Sequence, residues 1–253
     1  MYQEERLNQI LALLQAHRYA TVDFLASEIR YSAASIRRDL AILEKRGLVK
    51  RSYGGVTLNA ESDTPFLFRQ QTMKPEKNLI AKEAAKLVSD GDVIFLDGSS
   101  TAQYMGPFLL KKRDIAVITN NLTLATYLAE NGVEVYCAGG RVTELPGTTA
   151  GSITAKTFAS FRADIMFFST DAMDSEGVIS VKPESYFIHN TAMLEHSAKH
   201  VYLCSSNKIG THAKIVQCDL SEVDYFISDA TLPAALRKKF PKTKFITAKR
   251  EKE

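Results

Sequence analysis

Apolar side chains recur with the period of a helix at the start of the chain, and as continuous strand-like runs further on. Leu7, Ile10, Leu11 and Leu14 stand at i, i+3, i+4 and i+7, which predicts a first helix with one buried face. Val22, Leu25 and Ile29 give the stripe of a second helix. Thr21 is placed to cap it, and Asp23 lies in its first turn against the positive end of the helix dipole. After the turn at Arg30-Tyr31, Ser32 is placed to cap a third helix with the stripe Ile36, Leu40 and Leu43, ending near Gly47. Two short β-like runs, Leu48–Tyr53 and Val56–Leu58, flank Gly54-Gly55 and predict a hairpin.

The pattern then changes. Leu58–Pro65 is polar and rich in turn residues, as a linker is. The chain therefore divides into residues 1–58, a linker over 59–74, and a larger domain over 75–253. A helix with buried positions Ile80, Ala84, Leu87 and Val88 leads to Gly91. Apolar runs follow at Val93–Leu96, Ile115–Ile118, Val133–Cys137, Ile165–Phe168, Val201–Cys204, Tyr225–Ile227 and Lys244–Thr247. Helical segments near 102–111, 122–130, 151–160, 184–198 and 232–239 separate them. Alternating strands and helices predict an α/β fold: a parallel, Rossmann-like sheet with helices on both faces, preceded by a small winged helix-turn-helix.

Composition narrows the class. With 45% hydrophobic and 24% charged residues, the chain is an ordinary globular one. No apolar run reaches the roughly 18–20 residues that span a bilayer, and the start MYQEERLNQI lacks a signal-peptide core. Cys137, Cys204 and Cys218 lie far apart with no CxxC pair. These features lead us to expect a reduced, cytoplasmic location with no membrane, no disulfide framework and no zinc finger. The net charge of +3 is carried by the first sixty residues, with nine Lys or Arg against six acids, and six of those bases fall between Arg37 and Arg51. That asymmetry suits a domain that meets a polyanion, although a solvated helix face has the same composition.

The helical geometry favours the polyanion. With Ile36, Leu40 and Leu43 inward, Ser35, Arg37 and Arg38 face outward near the start of the third helix, where a recognition helix enters the major groove. Arg donates in pairs to guanine or clamps a phosphate, and Ser suits either. Asp39 either orients Arg38 or pairs across helices. The hairpin is then a wing that touches backbone or minor groove with Lys50, Arg51 and Tyr53. Thr21 and Ser32 complete the DNA-binding candidates. A lone winged helix reads about one half-site, so a homo-oligomer, dimer or tetramer, is expected on double-stranded operator DNA.

In the larger domain the residues just past each strand matter, because ligands of open parallel sheets bind at the strands' carboxyl ends. Those positions are Asp97-Gly98-Ser99-Ser100-Thr101, Thr119-Asn120-Asn121, Gly139-Gly140-Arg141, Ser169-Thr170-Asp171 and Ser205-Ser206-Asn207-Lys208. This set suits a phosphorylated polyol. Ser99–Thr101 would hold phosphate oxygens on a helix N-terminus, with Lys208 or Arg141 as countercharge. Asp97 and Asp171 would accept from sugar hydroxyls. Any one such loop is as well explained by helix capping; five together point to a ligand site.

The series Ser32-Ala33-Ala34-Ser35-Ile36-Arg37-Arg38-Asp39-Leu40, then Leu43-Glu44, Gly47, Arg51 and Gly54-Gly55, resembles the signature of the DeoR family of sugar-metabolism regulators. The later segments DGSST, ITNN, AGGR, STDAMDSEGV, SSNKIG and YFISD are similar in order and spacing to that family's effector domain. The resemblance implies a fold related to ribose-5-phosphate isomerases and, as effector, a phosphorylated sugar that releases a repressor from DNA. Tyr31 stands where Val is more usual, Gly98-Ser99-Ser100-Thr101 where Gly-Thr-Thr is common, and Ser205 where the family has Asp.

Other signals lead elsewhere. His196 and His200 are four apart on the expected helix, but no third ligand is near and HExxH is absent, so no metal or other cofactor is expected. No GxxxxGK[ST] or GxGxxG loop is present. Cys204 reads as a buried apolar residue. The main expectation is a phosphosugar-responsive DNA-binding regulator, not an enzyme. The alternatives are a sugar-phosphate isomerase with an appended DNA module, using Asp97, Asp171 and Lys208, and a regulator whose sensor has lost its ligand.

Overall fold

The computed structural model describes residues 3–17, 19–46, 48–52, 54–58, 69–70, 72–144 and 147–249. The chain forms two compact units, Met1–Thr72 and Met73–Glu253. In the first, α1 (Gln3–His17), α2 (Val22–Ile29) and α3 (Ala33–Lys45) close on Leu7, Ile10, Leu14, Leu25, Ile36, Leu40 and Leu43, the stripes set by the sequence. The caps form as expected. Thr21 Oγ1 accepts from the Phe24 N–H at 3.1 Å, and Ser32 Oγ from the Ser35 N–H at 3.2 Å. Gly47 and Tyr53 lie outside the described residues.

Strands β2 (Val49–Ser52) and β3 (Gly55–Leu58) make the hairpin, and β1 (Tyr19–Ala20) pairs with the far side of β3. Two residues are too few to show alternation, so β1 is not visible in the sequence pattern. It accounts for the Gly-Gly turn. Gly54 has φ +89°, and a Cβ on Gly55 would stand 2.3 Å from the Tyr19 ring. Gly55→Ala is expected to turn that exposed ring aside at a cost below about 1 kcal/mol, read by urea denaturation.

Asp39 settles the choice left open above. It is buried, and Arg6 of α1 grips both its oxygens, Nε to Oδ2 at 2.5 Å and Nη2 to Oδ1 at 3.0 Å. The same guanidinium lies 4.6 Å from the centre of the Tyr31 ring. Asp39 therefore ties α3 to α1 and does not face DNA.

The second unit runs α4 (Lys74–Ala85), β4 (Val93–Leu96), α5 (Ser100–Gln103), α6 (Gly106–Leu109), β5 (Ala116–Thr119), α7 (Leu122–Glu130) and β6 (Glu134–Cys137). It continues with β7 (Arg141–Glu144), β8 (Thr148–Ala150), α8 (Ser152–Ala159), β9 (Ile165–Phe168), β10 (Ala172–Met173), β11 (Val178–Val181) and α9 (Glu184–Glu195). Then come β12 (His200–Cys204), β13 (Ile215–Asp219), β14 (Tyr225–Ser228), α10 (Ala234–Lys239) and β15 (Lys244–Thr247). Seven strands form one parallel sheet in the order β15-β14-β12-β9-β4-β5-β6. Alternate residues feed two cores. Ile94, Leu96, Phe167 and Leu203 face one side; Phe95, Met166, Phe168 and Tyr202 face the other.

Four features of the structure differ from those the sequence pattern predicts. The expected helix over 102–111 is two short ones, because Gly106-Pro107 interrupts it. The linker expected to 74 ends sooner, since Lys74 opens α4; residues 59–68 and 71 lie outside the described residues. The helix expected to 198 stops at Glu195, where Ala163 and the 196–198 segment exchange backbone hydrogen bonds. His196 and His200 therefore do not share a helix face. The antiparallel pairs β7–β8 and β10–β11–β13 were not foreseen; β10, at two residues, is again below the reach of periodicity.

Candidate DNA-reading face and ligand site

Burying Ile36, Leu40 and Leu43 leaves Arg37 and Arg38 exposed on α3. Ser32 Oγ donates to Ser35 Oγ at 3.0 Å, and Arg38 Nη2 donates to the same oxygen at 3.3 Å, so the three residues form one polar chain at the helix start. Thr21, Arg37, Arg51 and Gly54 line an open cleft of about 370 Å³ between the helices and the wing. Lys50 and Arg51 are exposed on β2. Arg51 stands 3.8 Å from the exposed Glu44, a contact weak enough to yield to a phosphate. Thr21, Arg37 and Arg51 thus share one cleft, and Ser32, Ser35 and Arg38 one polar chain on the same helix. Thr21 and Ser32 also hold their helices' first turns.

The second site sits where strand order reverses. From β4 the chain builds outward through β5 and β6 on one side and, later, through β9, β12, β14 and β15 on the other. Parallel sheets open a crevice at such a point. Asp97 spans it: Oδ1 accepts from Ser99 N–H at 3.1 Å and Oδ2 from Ser169 N–H at 2.9 Å. Lys208 Nζ donates to Ser169 Oγ at 2.9 Å. Lys77, almost wholly buried on α4, donates to Ser100 Oγ at 3.0 Å. Asn120 Nδ2 donates to the Thr149 carbonyl at 2.7 Å, while Asn120 Oδ1 and Thr101 Oγ1 are buried with no hydrogen-bond partner among the described residues. Asn121 caps α7 through Leu124 N–H, and Thr119 Oγ1 accepts from Asn121 N–H. A Cβ on Gly98 would stand 2.6 Å from Thr148 Cγ2, so only Gly lets the β7–β8 hairpin close over this loop.

For two of the expected groups the hydrogen bonds run elsewhere. Gly139, Gly140 and Arg141 are exposed; the Gly139 carbonyl accepts from Thr154 Oγ1 at 2.7 Å, and a Cβ on Gly140 would meet that oxygen at 2.4 Å. Asp171 Oδ2 accepts from the Lys182 N–H at 2.8 Å. The expected helix dipole is also reduced, since α5 has four residues. Lys77 was missed, though a signal existed: with Ile80, Ala81 and Ala84 it stands at i, i+3, i+4 and i+7 on a buried stripe. Thr148 and Thr149 were missed because the hairpin was.

Burial raises the Asp97 carboxyl from 3.8 to about 6, with the Ser169 and Ser99 groups pulling the other way. The folded form holds this proton more tightly than the unfolded chain. The resulting stability is full below pH 3.8 and is lost as pH rises through about 6. Thermal melts between pH 4 and 7 should show that fall in the wild type and a flatter profile in Asp97→Asn. Burial pushes the Cys204 thiol up to about 11.

A basic recognition helix with a wing, on the same chain as a parallel α/β unit with a buried polar cluster at its switch point, defines a DNA-binding regulator with its own sensor domain. The chain belongs to the DeoR family. Residues 6–62 match the DeoR-like helix-turn-helix domain and residues 72–230 the DeoR C terminal sensor domain. It is 32% identical to the HTH-type transcriptional regulator GlpR of Haloferax volcanii over 94% of each chain. It is 30% identical to the HTH-type transcriptional repressor GlcR of Bacillus subtilis, over 90% of this chain and 89% of that one. It is 28% identical to the glycerol-3-phosphate regulon repressor of Escherichia coli, over 93% and 94%.

Proposed function

We propose that this chain represses an operon of sugar or polyol metabolism in the cytoplasm, binds its operator as a homo-oligomer, and is released by a phosphorylated sugar held at Ser99–Thr101. The observation that carries this reading is the pair of lysines. Lys77 and Lys208, from separate elements, bring ammonium groups to Ser100 and Ser169 beside the buried Asp97. Cations and hydroxyls converging in a crevice suit a phosphate ester of a hydroxylated carbon chain. The likeness to a glycerol-3-phosphate regulon repressor is in keeping with that chemistry.

Ser205, where the family has Asp, donates through Oγ to Asn207 Oδ1 at 2.7 Å. The loop that carries Lys208 is braced by Asp229, which accepts from Ser206 N–H at 2.7 Å and Ser206 Oγ at 2.6 Å. The site reads as binding, not catalytic, because Asp97 and Asp171 are each engaged by backbone N–H groups. Turnover of ribose-5-phosphate that Asp171→Asn abolishes would reverse this view.

A thermal-shift screen of phosphorylated sugars and glycerol-3-phosphate tests the ligand. At about 100 times its Kd a binder adds roughly 2.7 kcal/mol. A shift that vanishes in Lys208→Ala supports the reading; no shift with any compound removes it. DNA affinity should drop steeply with salt, and Arg37→Ala should lower the slope of log K against log salt by about 1 for each copy bound. Filter binding between 50 and 200 mM salt reads that slope.

A further inference from the structure

β6 is an outer strand of the seven-stranded sheet. It pairs with β5 on one side and, among the described residues, with no strand on the other. The Ala138 N–H donates to Thr119 of β5 at 2.8 Å. Successive residues of a strand point their N–H and C=O groups to alternate sides, so those of Val135 and Cys137 face the open side. Open edges are usually blunted by Lys or Pro. The opposite edge, β15, follows Pro241 and begins with Lys244; β6, Glu-Val-Tyr-Cys, has neither.

The surroundings of this edge are apolar and exposed. Tyr136 is 42% exposed and packs on Phe161 at 4.8 Å. Ile153, 62% exposed at the start of α8, reaches the Gly139 position just past the strand, and Val142, 47% exposed, follows on β7. An apolar strip beside an unpaired edge is the form of an interface. Its charges sit at opposite ends, Glu134 opening the strand and the exposed Arg141 following it. A two-fold axis at the edge runs two such strands antiparallel. It brings the Glu134 end of one copy toward the Arg141 end of the other, so the edge complements itself in charge as well as in backbone.

We propose that β6 pairs antiparallel with β6 of a second copy, continuing the sheet through both sensor domains. The proposal rests on the reading above that two copies act together, and it identifies the face they share. A partner strand from another protein would leave the isolated chain monomeric.

Light scattering on the purified full chain gives the first test, with a dimer expected. Cys137 is the exposed thiol and Cys204 and Cys218 are buried, so a spin label goes to the edge itself. A four-residue strand spans ~14 Å, so pairing sets the two Cys137 attachment points within roughly 20 Å. Cys137→Pro removes an outward donor from each copy and should weaken the dimer about tenfold or more, as should Tyr136→Lys by placing like charges at the interface. Both variants should keep the wild-type thermal shift with phosphosugar. If Cys137→Pro fails to fold, Tyr136→Lys decides. A monomeric wild type, a dimer with Cys137 sites beyond that reach, or a dimer unmoved by the folded variants overturns the proposal. A monomer that still binds phosphosugar sinks this inference and leaves the ligand site standing.

Discussion

Arg6→Ala is expected to destabilise the winged helix by about 3–5 kcal/mol, enough to abolish DNA binding while the sensor unit still melts cooperatively. The cause is the residue left behind. The Asp39 side chain is 1% exposed and, among the described residues, takes both its hydrogen bonds from the Arg6 guanidinium. Without Arg6, a carboxylate stays in the core between α1 and α3 with no countercharge, which costs far more than the pair contributes. The double variant Arg6→Met with Asp39→Leu should therefore recover most of the loss. Urea denaturation followed by circular dichroism separates the outcomes. A single-variant cost below about 1 kcal/mol would show that Asp39 is solvated in the folded state, against the burial seen here.

Lys77→Met should have the second largest effect. A charged hydrogen bond contributes about 1.5–3 kcal/mol, so phosphosugar affinity should fall on the order of tenfold to a hundredfold. Lys208→Ala should behave similarly. Isothermal titration with the best compound of the screen measures both. Met keeps the apolar stem that packs beside Ile80 and Ala81, so the fold should hold and the loss should lie in binding. Unchanged affinity in both variants would take the phosphate away from the Ser99–Thr101 loop.

The sequence was most legible where side chains repeat over several turns or strands. The stripes of α1, α2 and α3, the caps Thr21 and Ser32, and the alternating runs of the parallel sheet needed no tertiary information. It was least legible where pairing depends on distant partners. β1 and β10 have two residues each, and the β7–β8 hairpin is recognised only through what it closes on, Gly98 and Asn120. In the ligand site, residues at strand ends could be named, but orientation could not. Asp171 turns to the Lys182 backbone, and Asp39 turns inward to Arg6, a partner 33 residues away. Lys77 lay on a visible apolar stripe; its meaning depended on Ser100 arriving above it from the next loop.

The central claim is that one phosphosugar, bound beside Lys77 and Lys208, changes the grip of the winged helix on DNA. Fluorescence anisotropy on a labelled fragment of the chain's own upstream DNA tests it most directly, at fixed salt, with and without the compound found in the screen. Allosteric coupling of ordinary size predicts that the compound weakens wild-type binding about 5- to 150-fold. Lys77→Met should bind the fragment as tightly as wild type and show no response. A wild-type affinity indifferent to a saturating phosphosugar, or a response that survives in Lys77→Met, would contradict the account.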